Sequence, residues 1–153
     1  MPCQEVQMAI NILYHSVTGN TERIARAISE ELSCSLVKAG EHQQPIEADV
    51  LFIGGACYAT QQHDIHPDLD QAIRTLDPGK VGIAALFSTG FPKYSTALEQ
   101  MRTRLQELGI PVYRDTFFCR GKFFLLNRKH PDKQDLQQAR DYARNVVSTI
   151  GKN

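Results

Sequence analysis

Apolar positions along this chain fall into two alternating kinds of segment: short unbroken runs, and stripes that recur at steps of three and four. Residues 8–14 are apolar except for Asn11, which predicts a strand with both faces buried. A loop of small residues follows. Residues 21–32 then set Ile24, Ala25, Ile28 and Leu32 on one side and Glu22, Arg23, Arg26, Ser29 and Glu30 largely on the other. That is an amphipathic helix of the kind that covers a sheet.

The unit repeats. Residues 35–37 are a short second strand, and residues 49–54 a buried third strand that ends in glycine. A helix over residues 67–76 carries Leu69, Ile73 and Leu76 on one stripe. Residues 81–87 make the fourth and most apolar strand. Ser95 is a suitable N-cap for a helix whose stripe is Leu98, Met101, Leu105 and Leu108, stopped by Gly109 and Pro111. Residues 112–118 predict a fifth strand. A last helix begins near Asp132, with Leu136, Ala139, Ala143, Val146 and Ile150 facing inward.

Strands this apolar leave no face for water, and they alternate with helices. The expected fold class is therefore α/β: a doubly wound, five-stranded parallel sheet with helices on both faces and right-handed crossovers. Ligands of such sheets bind beyond the carboxyl ends of the strands, where the winding reverses. The loops to inspect are 15–21, 55–66 and 88–95. At 153 residues, with no linker-like stretch, the chain predicts one domain over residues 8–153 behind a short tail at 1–7.

Composition narrows the classes of function. Hydrophobic residues are 42% and charged residues 22%, ordinary for a folded domain that needs no staples. Apolar runs such as residues 83–87 fall far short of the roughly 20 residues of a membrane span. The first residues lack the basic and then apolar regions of a secretory signal, so a cytoplasmic location is expected. Cys3, Cys34, Cys57 and Cys119 are scattered without a CxxC pair and read as free thiols. Seventeen basic and seventeen acidic side chains cancel, which removes the general electrostatic case for nucleic acid.

The chemistry is concentrated after the first strand. Ser16, Thr18 and Thr21 offer three hydroxyls within six residues, and Gly19 lets backbone N–H groups converge at a helix start. This is an anion loop, although Ser/Thr/Gly loops also cap helices with nothing bound. It contains no lysine, and neither GxxxxGK[ST] nor GxGxxG occurs there, which argues against a Walker or dinucleotide site. The run Ile12-Leu13-Tyr14-His15-Ser16-Val17-Thr18-Gly19-Asn20-Thr21, followed by Ala25 and Ile28, resembles the phosphate-loop signature of flavodoxins. The order of elements resembles theirs along nearly the whole chain.

That resemblance implies a strand order of 2-1-3-4-5 and FMN as cofactor. It implies that Ser16, Val17, Thr18, Gly19, Asn20 and Thr21 hold the phosphate through loop dipoles and hydroxyls, with no basic side chain. It further implies that two loops grip the isoalloxazine ring, here Ala56, Cys57, Tyr58 and Ala59, and Ser88, Thr89, Gly90, Phe91 and Tyr94. Tyr58 would stack on one face and Phe91 or Tyr94 on the other.

Three departures bear on function. Ala59 stands where many flavodoxins have a glycine whose peptide flips toward the flavin N5, and a Cβ argues against strong semiquinone stabilisation. The chain is neutral where flavodoxins are acidic, and residues 112–133 hold Arg114, Arg120, Lys122, Arg128, Lys129 and Lys133 against Asp115 and Asp132. There is no room for the long insertion in the fifth strand, so the chain resembles the short-chain type; the aromatic-rich segment Phe118 to Phe124 suits a loop folding over the ligand end or meeting a partner, although core packing also accounts for Phe117 and Phe118.

The function implied is an electron carrier that delivers reducing equivalents to a partner oxidoreductase, with a reductase and an acceptor enzyme as partners and no catalytic side chain. The alternative is a small FMN-dependent reductase or dehydrogenase acting directly on a quinone, tetrapyrrole or similar conjugated substrate. A third is a flavin-free interaction module. His63, Asp64 and His66 lack the spacing of a metal set and read as loop residues. Cys57 reads as a small buried thiol.

Overall fold

The apolar runs assemble into one sheet and the striped segments cover it. A computed structural model describes residues 7–42, 44–58, 64–90, 96–120 and 130–152, with only the backbone of Tyr58. In chain order the elements are β1 (Ile10–Tyr14), α1 (Asn20–Leu32), β2 (Ser35–Lys38), β3 (Ala48–Gly55), β4 (Cys57–Tyr58), β5 (Asp64–Ile65), α2 (Pro67–Arg74), β6 (Val81–Gly90), α3 (Ala97–Leu108), β7 (Phe117–Arg120) and α4 (Lys133–Gly151). The main sheet has five strands in the order β2-β1-β3-β6-β7, every neighbouring pair parallel. Counting its members alone, that is the expected 2-1-3-4-5. Winding runs outward from β1 to β2 and then reverses to β3, so the switch point lies between the carboxyl ends of β1 and β3.

Alternation along the strands divides the interior into two cores. Val50, Phe52, Ala85 and Phe87 face α1 and α4 together with Ile24, Ala25, Ile28, Ala139 and Ala143. Leu51, Ile53, Ala84 and Leu86 face α2 and α3 together with Leu69, Ile73, Met101 and Leu105. Such period-two sorting on both faces is what a fully covered parallel strand requires. No helix among the described residues is long and apolar enough to cross a membrane.

Boundaries follow local chemistry. α4 starts at a capping box: Asp132 accepts from the Asp135 backbone N–H at 2.8 Å, and the Asp135 carboxylate accepts from the Asp132 N–H at 2.9 Å. Helix α3 begins at Ala97. Ser95 lies outside the described residues, and Thr96 already has helical angles (φ −83°, ψ −8°) and caps nothing with its side chain. A small antiparallel pair, β4 with β5, is added after β3 and was not expected from the pattern.

The fifth strand departs from expectation. Val112 bridges Ala84, but the ladder resumes only where Phe117 pairs with Phe87. Three steps along β6 therefore face five along its neighbour, so the predicted single strand over residues 112–118 carries two extra residues. Arg114, Asp115 and Thr116 are exposed and polar, and they leave the sheet for water. The gap is bridged from α4: the Tyr142 hydroxyl lies 3.0 Å from both the Leu86 and Asp115 carbonyl oxygens, donating its one hydrogen between them. Burial pushes the acidity of that phenol well beyond the ordinary tyrosine range.

Candidate functional site

The switch point brings the first loop beside the ends of β3 and β6. β1 is prolonged by one backbone bond, His15 N–H to the Gly54 carbonyl at 3.1 Å, before the chain turns. In the turn the Gly19 N–H donates to Ser16 Oγ at 3.0 Å, and the Asn20 side-chain amide donates to Thr18 Oγ1 at 3.0 Å. Gly19 occupies the N-cap of α1 with φ 92° and ψ −7°, a left-handed conformation that a Cβ would strain.

Because that cap is glycine, it has no side chain of its own with which to close the start of α1. The first-turn N–H groups and the positive end of the helix macrodipole face the loop. Ser16 and Thr18 accept bonds inside the loop, and each keeps a hydroxyl hydrogen with which to donate outward. Glu22, the acid of the first turn, is drawn aside: its Oε1 accepts from the Tyr14 hydroxyl at 2.9 Å and pairs with Arg26 at 3.4 Å. Burial, and then the bond to Glu22, raises the Tyr14 pKa and keeps the phenol protonated.

The remaining predicted residues occupy different environments. Thr21 and Thr89 are 1% and 3% exposed, and their hydroxyl oxygens lie 2.9 Å apart. This inward brace joins the start of α1 to the end of β6. Val17 is 61% exposed at the tip of the loop. Ser88 is buried beside Thr89, and its Oγ has no hydrogen-bond partner among the described residues. Gly90 ends β6 at φ 148°.

Ala56 is buried, and Cys57 Sγ lies 3.2 Å from Thr96 Oγ1, with the thiol pKa raised chiefly by burial. The Tyr58 backbone pairs with Asp64. Ala59, Phe91 and Tyr94 lie outside the described residues, so the expected aromatic grip on a ring stands on the sequence.

A phosphomonoester fits what is present. It needs several donors and a positive dipole, and both are here: a helix start capped by glycine, two hydroxyls that each keep a hydrogen to donate, and a first-turn carboxylate held by Tyr14 and Arg26. The adjoining end of β6 adds the buried Ser88 hydroxyl, which has no partner among the described residues. Sequence reading gave no role to His15, Tyr14 and Glu22, which flank the first loop, or to Thr96, which meets Cys57. For Tyr14 and Glu22 a signal existed, since a tyrosine ending β1 faces the first turn of α1.

Solved structures match this arrangement over most of its length. Oxidised flavodoxin 1 from Bacillus cereus superposes with a TM-score of 0.69 at 20% identity, covering 91% of this chain and 97% of that one. The chain has the flavodoxin-like fold. A flavodoxin, WrbA-like protein from Agrobacterium tumefaciens superposes on this flavodoxin-like chain with a TM-score of 0.72 at 15% identity, covering 95% and 99%. In sequence, an uncharacterised protein of Methanocaldococcus jannaschii is 28% identical over 150 residues, covering 89% of this chain and 96% of that protein. No protein-family model matches. In the flavodoxin-like frame the turn before α1 follows the carboxyl end of β1, Ala56 follows that of β3, and Ser88, Thr89 and Gly90 form the carboxyl end of β6.

Proposed function

We propose that this chain binds FMN and works as an electron-transfer protein, delivering reducing equivalents to a partner oxidoreductase. The observation that carries the reading is the glycine-capped start of α1 beside the Ser16 and Thr18 hydroxyls, with no lysine in the loop. Residues 16–21 hold the phosphate. Ala56, Cys57, Tyr58 and Ala59 on one side, and Ser88, Thr89, Gly90, Phe91 and Tyr94 on the other, hold the ring. FMN supplies exchange of one or two electrons when bound, and the protein supplies position and electrostatics. The Thr21–Thr89 brace fixes the phosphate loop relative to the ring loop that follows β6, so phosphate and ring are positioned together. The thiols of Cys34, Cys57 and Cys119 are free, which suits a reducing cytoplasm.

A second reading, an FMN-dependent reductase acting directly on a quinone, tetrapyrrole or similar substrate, draws on Arg120 and Lys133. Both are exposed at the carboxyl edge of the sheet, where they would attract an anionic substrate as readily as an acidic partner. The visible spectrum of freshly purified protein and an FMN titration of the stripped protein test the common part. A yellow protein with saturable, stoichiometric FMN uptake is expected. Colourless protein that takes up no FMN refutes both readings. Steady turnover of NAD(P)H with a quinone in the absence of any partner protein would favour the reductase over the carrier.

A further inference from the structure

At the carboxyl end of the sheet, one face of α3 reaches across to the small hairpin formed by β4 and β5. Gln100 ends the first turn of α3, and its side-chain amide bonds to that hairpin twice. Its Oε1 accepts from the Ile65 N–H at 2.9 Å, and its Nε2 donates to Asp64 Oδ1 at 3.0 Å. Thr96 lies four residues earlier, a spacing that shares one helix face, and its Oγ1 is 3.2 Å from Cys57 Sγ on the other strand of the hairpin. We infer that Gln100 is a positioning residue for the flavin ring, fixing the β4–β5 hairpin, and with it Cys57 and Tyr58, in the orientation that receives the ring. The inference rests on the FMN-binding reading above.

Burial alone does not set that orientation. The ladder between β4 and β5 has two residue pairs, Cys57 with Ile65 and Tyr58 with Asp64. A two-stranded ladder is marginal even at ordinary strand lengths, so one this short takes its shape from what it docks against. Ile65 is 3% exposed and joins the core under α2 and α3, which ties the hairpin to the molecule. Apolar contact is non-directional, however, and leaves the hairpin free to rock about that anchor. The two bonds from Gln100 are directional and remove that freedom.

The same two bonds fix the amide. Oε1 faces a donor and Nε2 an acceptor; turned over, the amide would set its NH2 against the Ile65 N–H and its oxygen against the Asp64 carboxylate. Alanine at this position would leave the Ile65 N–H without its acceptor. Glutamate would keep that acceptor but bring a second carboxylate against Asp64.

Helix α3 begins just after the loop that leaves Gly90, the other segment read as holding the ring. One helix therefore carries both sides of the ring site. Its start is continuous in sequence with the segment after β6, and Gln100 holds the segment after β3. A hairpin that shifts against α3 changes the gap between the two sides.

The test is FMN titration of stripped, folded protein, with visible circular dichroism of the saturated complex as a second reading. Gln100→Ala should weaken FMN binding about fivefold or more, because the hairpin then spends only part of its time in the receiving orientation. Gln100→Glu should weaken it to a similar degree. Combining Gln100→Glu with Asp64→Asn exchanges amide and carboxylate, restores both bonds, and should return the affinity to within about twofold of wild type. At saturation the visible bands of Gln100→Ala should differ from those of wild type, which a loss of stability alone would not produce. Gln100 is half-buried at a helix surface and alanine favours helix, so the variant keeps its fold. Deuterium exchange at the Ile65 amide of FMN-free protein should quicken in Gln100→Ala. Unchanged affinity and spectra in Gln100→Ala, unchanged exchange at Ile65, or an exchanged pair no tighter than Gln100→Glu would overturn the role alone. Wild-type protein that takes up no FMN refutes the proposed function, and the role falls with it.

Discussion

Converting Thr21 and Thr89 to valine, singly and together, probes the brace between the start of α1 and β6. Valine keeps the shape of threonine and removes the hydroxyl, so each single variant leaves one buried oxygen with its partner gone. The two residues are 1% and 3% exposed, and water cannot replace the lost bond without opening the structure. Leaving such a group unpaired costs about 1–3 kcal/mol, whereas removing both partners of a pair is often close to neutral. We therefore expect each single variant to lose about 1.5 kcal/mol, and the double variant to lose about as much as one single, not the sum. For a chain of this size that single loss lowers the melting temperature by roughly 3–6 °C.

Urea unfolding of FMN-free protein, followed by circular dichroism, measures all four corners of the cycle. FMN titration of the same proteins supplies a second reading: Thr89→Val should weaken binding because the two loops lose their common reference. Single-variant losses that add to within about 0.5 kcal/mol in the double would show that the hydroxyls do not depend on one another, and the brace would be refuted.

Gly19→Ala should destabilise the protein by about 1–2 kcal/mol through the left-handed backbone alone, because a Cβ there meets no atom within 4 Å. It should also weaken FMN binding, and wild-type stability in thermal melts would count against the loop geometry. Cys119 gives a pH prediction. Burial, with Asp135 and Asp132 adding to it, pushes its thiol from 9.0 up to about 12, so the folded state keeps the proton longer than the unfolded chain. The associated stability is fully present below pH 9 and is lost as pH rises through about 12, at no more than about 1.4 kcal/mol per pH unit. The stability difference between wild type and Cys119→Ala should shrink or reverse over that range in urea titrations, and a pH-independent difference would contradict it.

Much of the fold was legible because both periodicities are strong. Unbroken runs such as residues 49–54 and stripes such as Ile24, Ala25, Ile28 and Leu32 have one packing solution each, and β3 and α1 appear within a residue or two of the expected bounds. The interrupted strand was not legible. Residues 112–118 read as one strand, and only the tertiary position of Tyr142 shows that a backbone carbonyl in its middle, that of Asp115, finds a donor on a helix. In the candidate site, the 16–21 loop stood out because its hydroxyls and glycine are contiguous. The inward commitment of Thr21 was not, because its partner lies 68 residues away. His66 was first grouped with His63 and Asp64 by proximity in sequence, but the fold stacks its ring on that of His15, centroids 3.9 Å apart, and spacing carries no trace of that contact.

The two extra residues before β7 also bear on how the molecule avoids its own copies. A parallel sheet ends in strands whose outer backbone groups invite another chain to add on, and long, straight, apolar borders are where aggregation starts. Here both outermost strands, β2 and β7, are only four residues long, and β2 ends on Lys38. Had residues 112–118 run as one uninterrupted strand, that border would be nearly twice as long and mostly apolar. The excursion through Arg114 and Asp115 breaks it with charge, while Tyr142 secures the broken ladder from within. The irregularity that obscures the strand in sequence thus leaves an intruding strand little to pair with.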